Sequence, residues 1–443
     1  MNIEIPSQLS PVHSINFANF ISQLEEYPTY IYDFHKMQHC RPYGLLVIAS
    51  AIRNNMNCYP RASHSAINYN STQGCEFAST FGFFQSSGFD IGDLKEENDT
   101  GYRFVPIKTI SSDYLNYEYT DTTLLNEKVN YQAVFLADTL VGDQPKNVQE
   151  VVQYCFREMM RNVFEHAQIK ELWVCGQYWP SRNEAEIAIL DEGIGILKSL
   201  KTNARIHAES CSEANRLALQ PGLSRTIGMK QNPYDQWQNS GYGLYVASTL
   251  CAINGGYFIL SSGDKTIFVN GQQQTEYSTN QLGTAICLTI QTKSKKLRNF
   301  DETLEEIVRE GENRAQENGE KRILTASKVT TIASMIKHIE TNSHQDLCHV
   351  SDCLLVENHI AINTEVLFTA NSFNQKGELL GKFIYDEKEY SGVLLHVSSK
   401  SRIFYINNQI PIHAIVRKRR NDTYVLLEKH KYDKQVKKNK PKC

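Results

Sequence analysis

Residues Val151 to Ala167 read VVQYCFREMMRNVFEHA, and two periodicities run through them. Val152, Cys155, Met159 and Val163 recur at helical spacing, which predicts a core-facing stripe. Glu158, Asn162 and His166 stand four residues apart and stack on a second stripe of the same helix. An acid, an amide and an imidazole on one line suit simple solvation as well as chemistry, so the flanking segments decide between the two.

Downstream, residues 171–177 and 185–190 run apolar or alternate around Pro180-Ser181-Arg182-Asn183, the pattern of a hairpin. The second strand leads into Asp191-Glu192-Gly193-Ile194-Gly195. A carboxylate at a strand end followed by two glycines offers a fixed acceptor beside backbone that a planar ligand can approach closely. Further on, Asn239-Ser240-Gly241-Tyr242-Gly243-Leu244 feeds an apolar helix, whose free N–H groups can hold phosphate. A last alternating strand opens at Gly283-Thr284.

In this order, E-x3-N on a helix, D-x-G-x-G after a strand, G-x-G-L opening a helix and G-T starting a strand resemble the N, G1, G2 and last boxes of the GHKL ATPases. That superfamily includes gyrase, histidine kinases, MutL and the anti-sigma-factor kinases. The match covers about a third of the chain, and EMMRNVFEHA at 158–167 is most similar to the anti-sigma-factor Ser kinases. The resemblance implies a Bergerat-type α/β sandwich, helices on a largely antiparallel sheet, that binds ATP and Mg²⁺. It implies that Asn162 coordinates the metal and that Glu158 is the general base. By the same resemblance Asp191 accepts the adenine amine with Thr284 in support, Gly193 and Gly195 shape the adenine wall, and Gly241, Gly243 and Leu244 close over the phosphates. No Walker A signature competes.

Residues 196–240 correspond to the ATP lid of that family. Residues 212–219 (SEANRLAL) read as an N-capped helix before Pro221-Gly222, and Arg225 and Lys230 are candidates for the γ-phosphate. His166 suits a packed helix-face histidine as well as a functional one.

On either side lie regions of different character. Residues 1–115 alternate strands and helices, with an extended segment at 29–33, an apolar one at 44–52, a strand at 63–68 and a helix at 75–85. This order resembles a STAS domain, although His39-Cys40-Arg41-Pro42-Tyr43 stands where signalling members carry a phosphorylatable Ser; a plain α/β layer is the other reading. The ATP-binding domain is expected over 116–292, and residues 293–322 read as a charged, solvated helical connector. Residues 323–428 hold a helix at 329–340 and then short β runs, the spacing of a small barrel or sandwich. Cys348 and Cys353 lie among histidines without a second pair to complete a zinc site. Residues 429–443 carry seven Lys against one Asp and read as a basic disordered tail.

The whole, 443 residues with 46 Lys and Arg against 49 Asp and Glu, has a formal charge of −3, so no global field points to nucleic acid or to an anionic membrane. A nucleic-acid contact through the tail is left open. Eleven scattered Cys without a CxxC pair read as reduced thiols in a cytoplasmic protein, and no membrane partner or secretory signal is expected. The expected fold class is α/β (α+β), and the expected function is Mg-dependent ATP binding and hydrolysis that moves the lid and so the flanking regions. One alternative is a Ser/Thr or histidine-type protein kinase acting on a partner protein; another is a nucleotide-sensing module without catalysis. A protein partner through the STAS-like or C-terminal region is expected, and a homodimer is open, since many relatives dimerise.

Overall fold

A computed structural model of the chain describes residues 1–92, 103–111, 122–169, 171–203, 206–223, 241–294, 296, 299–317 and six strands between 364 and 427. The helix read at 329–340, the strand at 354–356, the Cys348 and Cys353 cluster, Arg225, Lys230 and the basic tail lie outside the described residues. The chain divides into two units, Met1–Lys328 and Val329–Cys443. Its class is mixed α/β.

The first unit begins with β1 (Asn2–Glu4), β2 (Gln8–Leu9), α1 (Pro11–Ser22), β3 (Thr29–Asp33), β4 (His39–Cys40), α2 (Pro42–Cys58), β5 (Ser63–Ile67), α3 (Gln73–Thr80) and α4 (Phe83–Ser86). Strands β1, β3 and β5 form a parallel sheet in that order, and α1 and α2 supply the crossovers that parallel neighbours require. Pro42 opens α2 where a missing N–H costs nothing. The single helix read over 75–85 is two: Thr72 caps the first through the Cys75 N–H, and Gly82, at φ +71°, turns the chain before the second.

There follow β6 (Phe104–Ser111), α5 (Thr122–Val141), α6 (Lys146–His166), β7 (Glu171–Trp179), β8 (Glu184–Asp191), α7 (Gly195–Lys201), α8 (Cys211–Ala218), α9 (Gly243–Asn254), β9 (Tyr257–Asn270), β10 (Gln273–Gln291) and α10 (Phe300–Glu317). Among the described residues the sheet has the order β6-β7-β8-β10-β9 and is antiparallel throughout. The sequence drew a boundary at 115, yet β6, on the near side of it, is hydrogen-bonded into this sheet.

Every residue of β8 after Glu184 is buried, because both faces of the strand are covered. Ala188 and Leu190 join Cys175, Ala285 and Cys287 in one hydrophobic cluster with Tyr32, Phe34 and Leu45 of the N-terminal layer. The alternate residues Ile187 and Ile189 point to the other face by the two-residue period of a strand. On that face Ile286 and Val163 of α6 line the same cavity.

Helix α10 corrects the reading of 293–322 as a solvated connector. Phe300, Leu304, Ile307 and Ala315 are buried, spaced so that they share one face, and Gly311 on the same face lies against Tyr242 and Tyr245.

In the second unit β11 (Thr364–Phe373), β12 (Leu379–Tyr385), β13 (Lys388–His396), β14 (Ser401–Ile406), β15 (Ile410–Arg419) and β16 (Asp422–Leu427) pair antiparallel in sequence order. β16 pairs back onto β11 and closes a barrel. Arg417, Lys418 and Arg419 are in β15, at its hairpin with β16.

Candidate functional site

A cavity of about 80 Å³ opens on the α6 side of the central sheet. Asn162, Asp191, Gly195, Gly241, Gly243, Leu244 and Thr284, all chosen from sequence, line it together, and His166 lies among them. They come from the end of α6, the end of β8, the start of α7, the start of α9 and β10, so the fold gathers at one place what the chain spreads over more than a hundred residues.

The β8 end is the most constrained part. Asp191 is 2% exposed and stands directly across from Thr284 in the β8–β10 register. Its Oδ1 accepts the Gly193 N–H at 2.9 Å, and both the hydroxyl and the backbone of Thr284 hydrogen-bond to the carboxylate. Burial pushes the carboxyl up to about 7 against those hydrogen bonds, and the neighbouring Glu192 adds to the rise.

Two glycines let backbone close around this carboxylate. A Cβ on Gly193 would collide with the Ala167 carbonyl, which accepts the Ile194 N–H at 3.0 Å. Gly283, at φ +68°, leaves no room for a side chain against the Asp191 backbone. Ser262 Oγ ties the floor together, accepting from Ile196 N and donating to Gly283 O, each at 2.9 Å.

Asn162 is one helical turn before His166 on α6, and its Nδ2 is buried with no hydrogen-bond partner among the described residues. A buried amide N–H without an acceptor carries a desolvation cost; the oxygen of the same side chain, which lines the cavity, is the end that could take a metal. Magnesium, implied by the resemblance, takes oxygen ligands and keeps several waters. The Asn162 amide fits that donor set as a single protein ligand, and no group of three or more His, Cys, Asp or Glu gathers as a metal site among the described residues.

Glu158 is beside the cavity rather than in its wall, and it is 5% exposed. Its Oε1 takes two guanidinium nitrogens of Arg157, at 2.6 and 3.0 Å, and stands 3.6 Å from Arg161. Burial alone would raise this carboxyl, but the two arginines outweigh it and hold it below the usual range. A Cβ on Gly243 would come within 2.5 Å of Oε2, so the start of α9 rests on the carboxylate. Negative charge at a helix start is favourable.

Of the segment read as a lid, only part is described. Helix α8 is capped by Ser210, two residues before the Ser212 suggested by sequence, because Glu213 at the third helical position completes a capping box with it. Gly241, at φ +74°, packs against the backbone of Gly222 and Leu223. Leu223 and Ala218 join the cavity wall, as do Ile196, Ser199 and Leu200 of α7 and Val163 and Ile286. Of these, sequence marks Val163 as part of the core-facing stripe of α6; the others carry no local signal as site residues, being ordinary core residue types.

Set against family models, curated proteins and solved structures, the chain matches none.

Proposed function

We propose that this chain binds ATP with magnesium in the α6–β8–α9 cavity, in the manner of a GHKL ATPase, and hydrolyses it. One observation carries the reading: seven residues taken from four separated sequence boxes line a single cavity. Asp191, once ionised, is the acceptor for the exocyclic amine of adenine, with Thr284 holding its other lone pairs. Gly195, in the cavity wall, lets the base lie close to backbone, while Gly193 and Gly283, outside the wall, let backbone close around Asp191. Asn162 would hold magnesium by its amide oxygen, and Gly241, Gly243 and Leu244 would meet the phosphates at the start of α9. Magnesium there supplies charge to offset the triphosphate. At about 80 Å³ the cavity is tight for a whole nucleotide, so uptake includes an outward shift of Leu223 and Gly241 from the wall.

Glu158 is suited to orienting an attacking water. Held low by Arg157 and Arg161, it is charged at neutral pH but a weak proton sink. Its double pairing also favours a second reading, nucleotide sensing without turnover.

Phosphate release by the wild type and Glu158→Gln separates the two. The substitution is to Gln because Ala would leave two buried arginines facing a void, which costs about 3–5 kcal/mol. We expect wild-type release of inorganic phosphate and a fall of about 100-fold or more in the variant at unchanged ATP affinity. Wild-type binding without release selects the sensing role, and label transferred to protein selects a kinase.

A further inference from the structure

Helix α2 of the N-terminal layer lies along β8, the strand that ends in Asp191, and is ion-paired to it at both ends. Arg41, just before the helix, reaches Glu184 and Glu186, each at 2.5 Å. Arg53, in the last third of the helix, reaches Glu192 at 2.7 Å, one residue past the end of the strand. The two spans agree. Twelve residues of helix rise about 18 Å, and the six residues from Glu186 to Glu192 extend about 20 Å.

The Glu192 end has more than one tie. Its Oε1 also accepts Ser50 Oγ at 2.7 Å, and the Arg53 guanidinium lies 4.2 Å from the Trp173 ring centroid while donating to the Ser86 carbonyl. Both side chains of the pair are mostly buried, at 17% and 15% exposed, so the bridge is shielded from the screening that weakens surface pairs. Neighbouring side chains on extended backbone point to opposite faces. Asp191 accordingly meets the cavity while Glu192 meets α2. The Glu192 residue also forms the middle of the turn closed by the Gly193 N–H on Asp191 Oδ1.

We propose that Glu192 is a positioning residue of the cavity: gripped by Arg53 and Ser50, it fixes the turn that presents Asp191 to the base, so that the N-terminal layer sets the affinity for adenine. The inference deepens the ATP reading and rests on it. Its signature is selective. The base end of the ligand depends on the bridge, and the phosphate end, held by α6 and α9, does not.

The test uses the full chain and two probes, adenosine and magnesium pyrophosphate, titrated calorimetrically into wild type, Arg53→Ala, Glu192→Gln, Arg53→Lys and, as a control at an exposed pair of the same layer, Lys36→Ala. We expect Arg53→Ala and Glu192→Gln to weaken adenosine by about 10-fold, the size of a coupling of this kind. Pyrophosphate should stay within about 2-fold. Arg53→Lys, which keeps the charge but loses the fork and the stacking on Trp173, should recover only part of the loss, and Lys36→Ala should match wild type. Adenosine affinity unchanged in both bridge variants while the wild type binds it overturns this inference alone. Equal weakening of both probes also overturns it, assigning the bridge to general stability. A wild type that binds neither probe overturns the ATP reading and this inference together.

Discussion

Burial and the proposed function set opposite demands on the Asp191 carboxylate. With its folded value raised to about 7 from an ordinary value of 3.8, the protonated form is the one that the fold prefers. The sign of the linkage follows: Asp191 contributes stability that is full below the unfolded value and is lost as pH rises through about 7. The adenine recognition proposed above needs the ionised form, so affinity should rise across the same window. Asp191→Asn keeps the acceptor for the Gly193 N–H and removes the charge. Without ligand, this variant should melt well above the wild type at pH 8 and converge with it only below about pH 4, while binding adenine nucleotides at least about 10-fold more weakly at pH 8. His166 faces the same cavity and Glu192 adjoins the turn, so thermal melts are compared in a His166→Gln background as well. A wild type and Asp191→Asn with parallel pH profiles would remove Asp191 as the titrating group. The importance of this residue was legible in sequence because a strand, an acid and two glycines occur in a row. Its partner Thr284 was legible only through the family resemblance, since the pairing depends on the β8–β10 register.

At the scale of elements, what sequence revealed was whatever had a local period or a local cap. The stripes of α6 and the β7–β8 hairpin around Pro180–Asn183 needed no tertiary information. Helix α10 was misread because its charged residues dominate the composition, although Phe300, Leu304, Ile307, Gly311 and Ala315 keep a helical spacing throughout. The glycine in that row is its least obvious member. A Cβ on Gly311 would come within 2.7 Å of Tyr245 Cε1 and 3.0 Å of Tyr242 Cε1, ring atoms of α9 and its N-cap that have little room to give. Gly311→Leu should therefore lower stability by about 1–3 kcal/mol by overpacking, despite the better helix propensity of leucine. Urea denaturation of the full chain measures it. A variant as stable as wild type would mean that α10 is not seated on α9.

Over the whole first unit, the N-terminal layer and the central sheet share one core, and β8 is the strand that both sides bury. Sequence could not show this. The contacts that make it, Arg41 with Glu186 and Arg53 with Glu192, join residues about 140 positions apart, and nothing local marks an arginine as the partner of a distant carboxylate. Glu186 is fully buried and also accepts the Tyr43 N–H at 3.0 Å and the Tyr257 hydroxyl at 3.2 Å, so the layer is fastened by groups that are costly to leave unpaired. Domain boundaries drawn from composition at 115 and 292 cut through this arrangement, since β6 and α10 both pack with the elements between them. The molecule is in this view a pocket whose floor is braced from behind by another layer. The measurement that tests it most directly is calorimetric titration of the wild-type chain with ATP and magnesium at pH 8. The account predicts saturable binding at one site per chain, weakened by Asp191→Asn; the absence of heat and of any saturable uptake would contradict it.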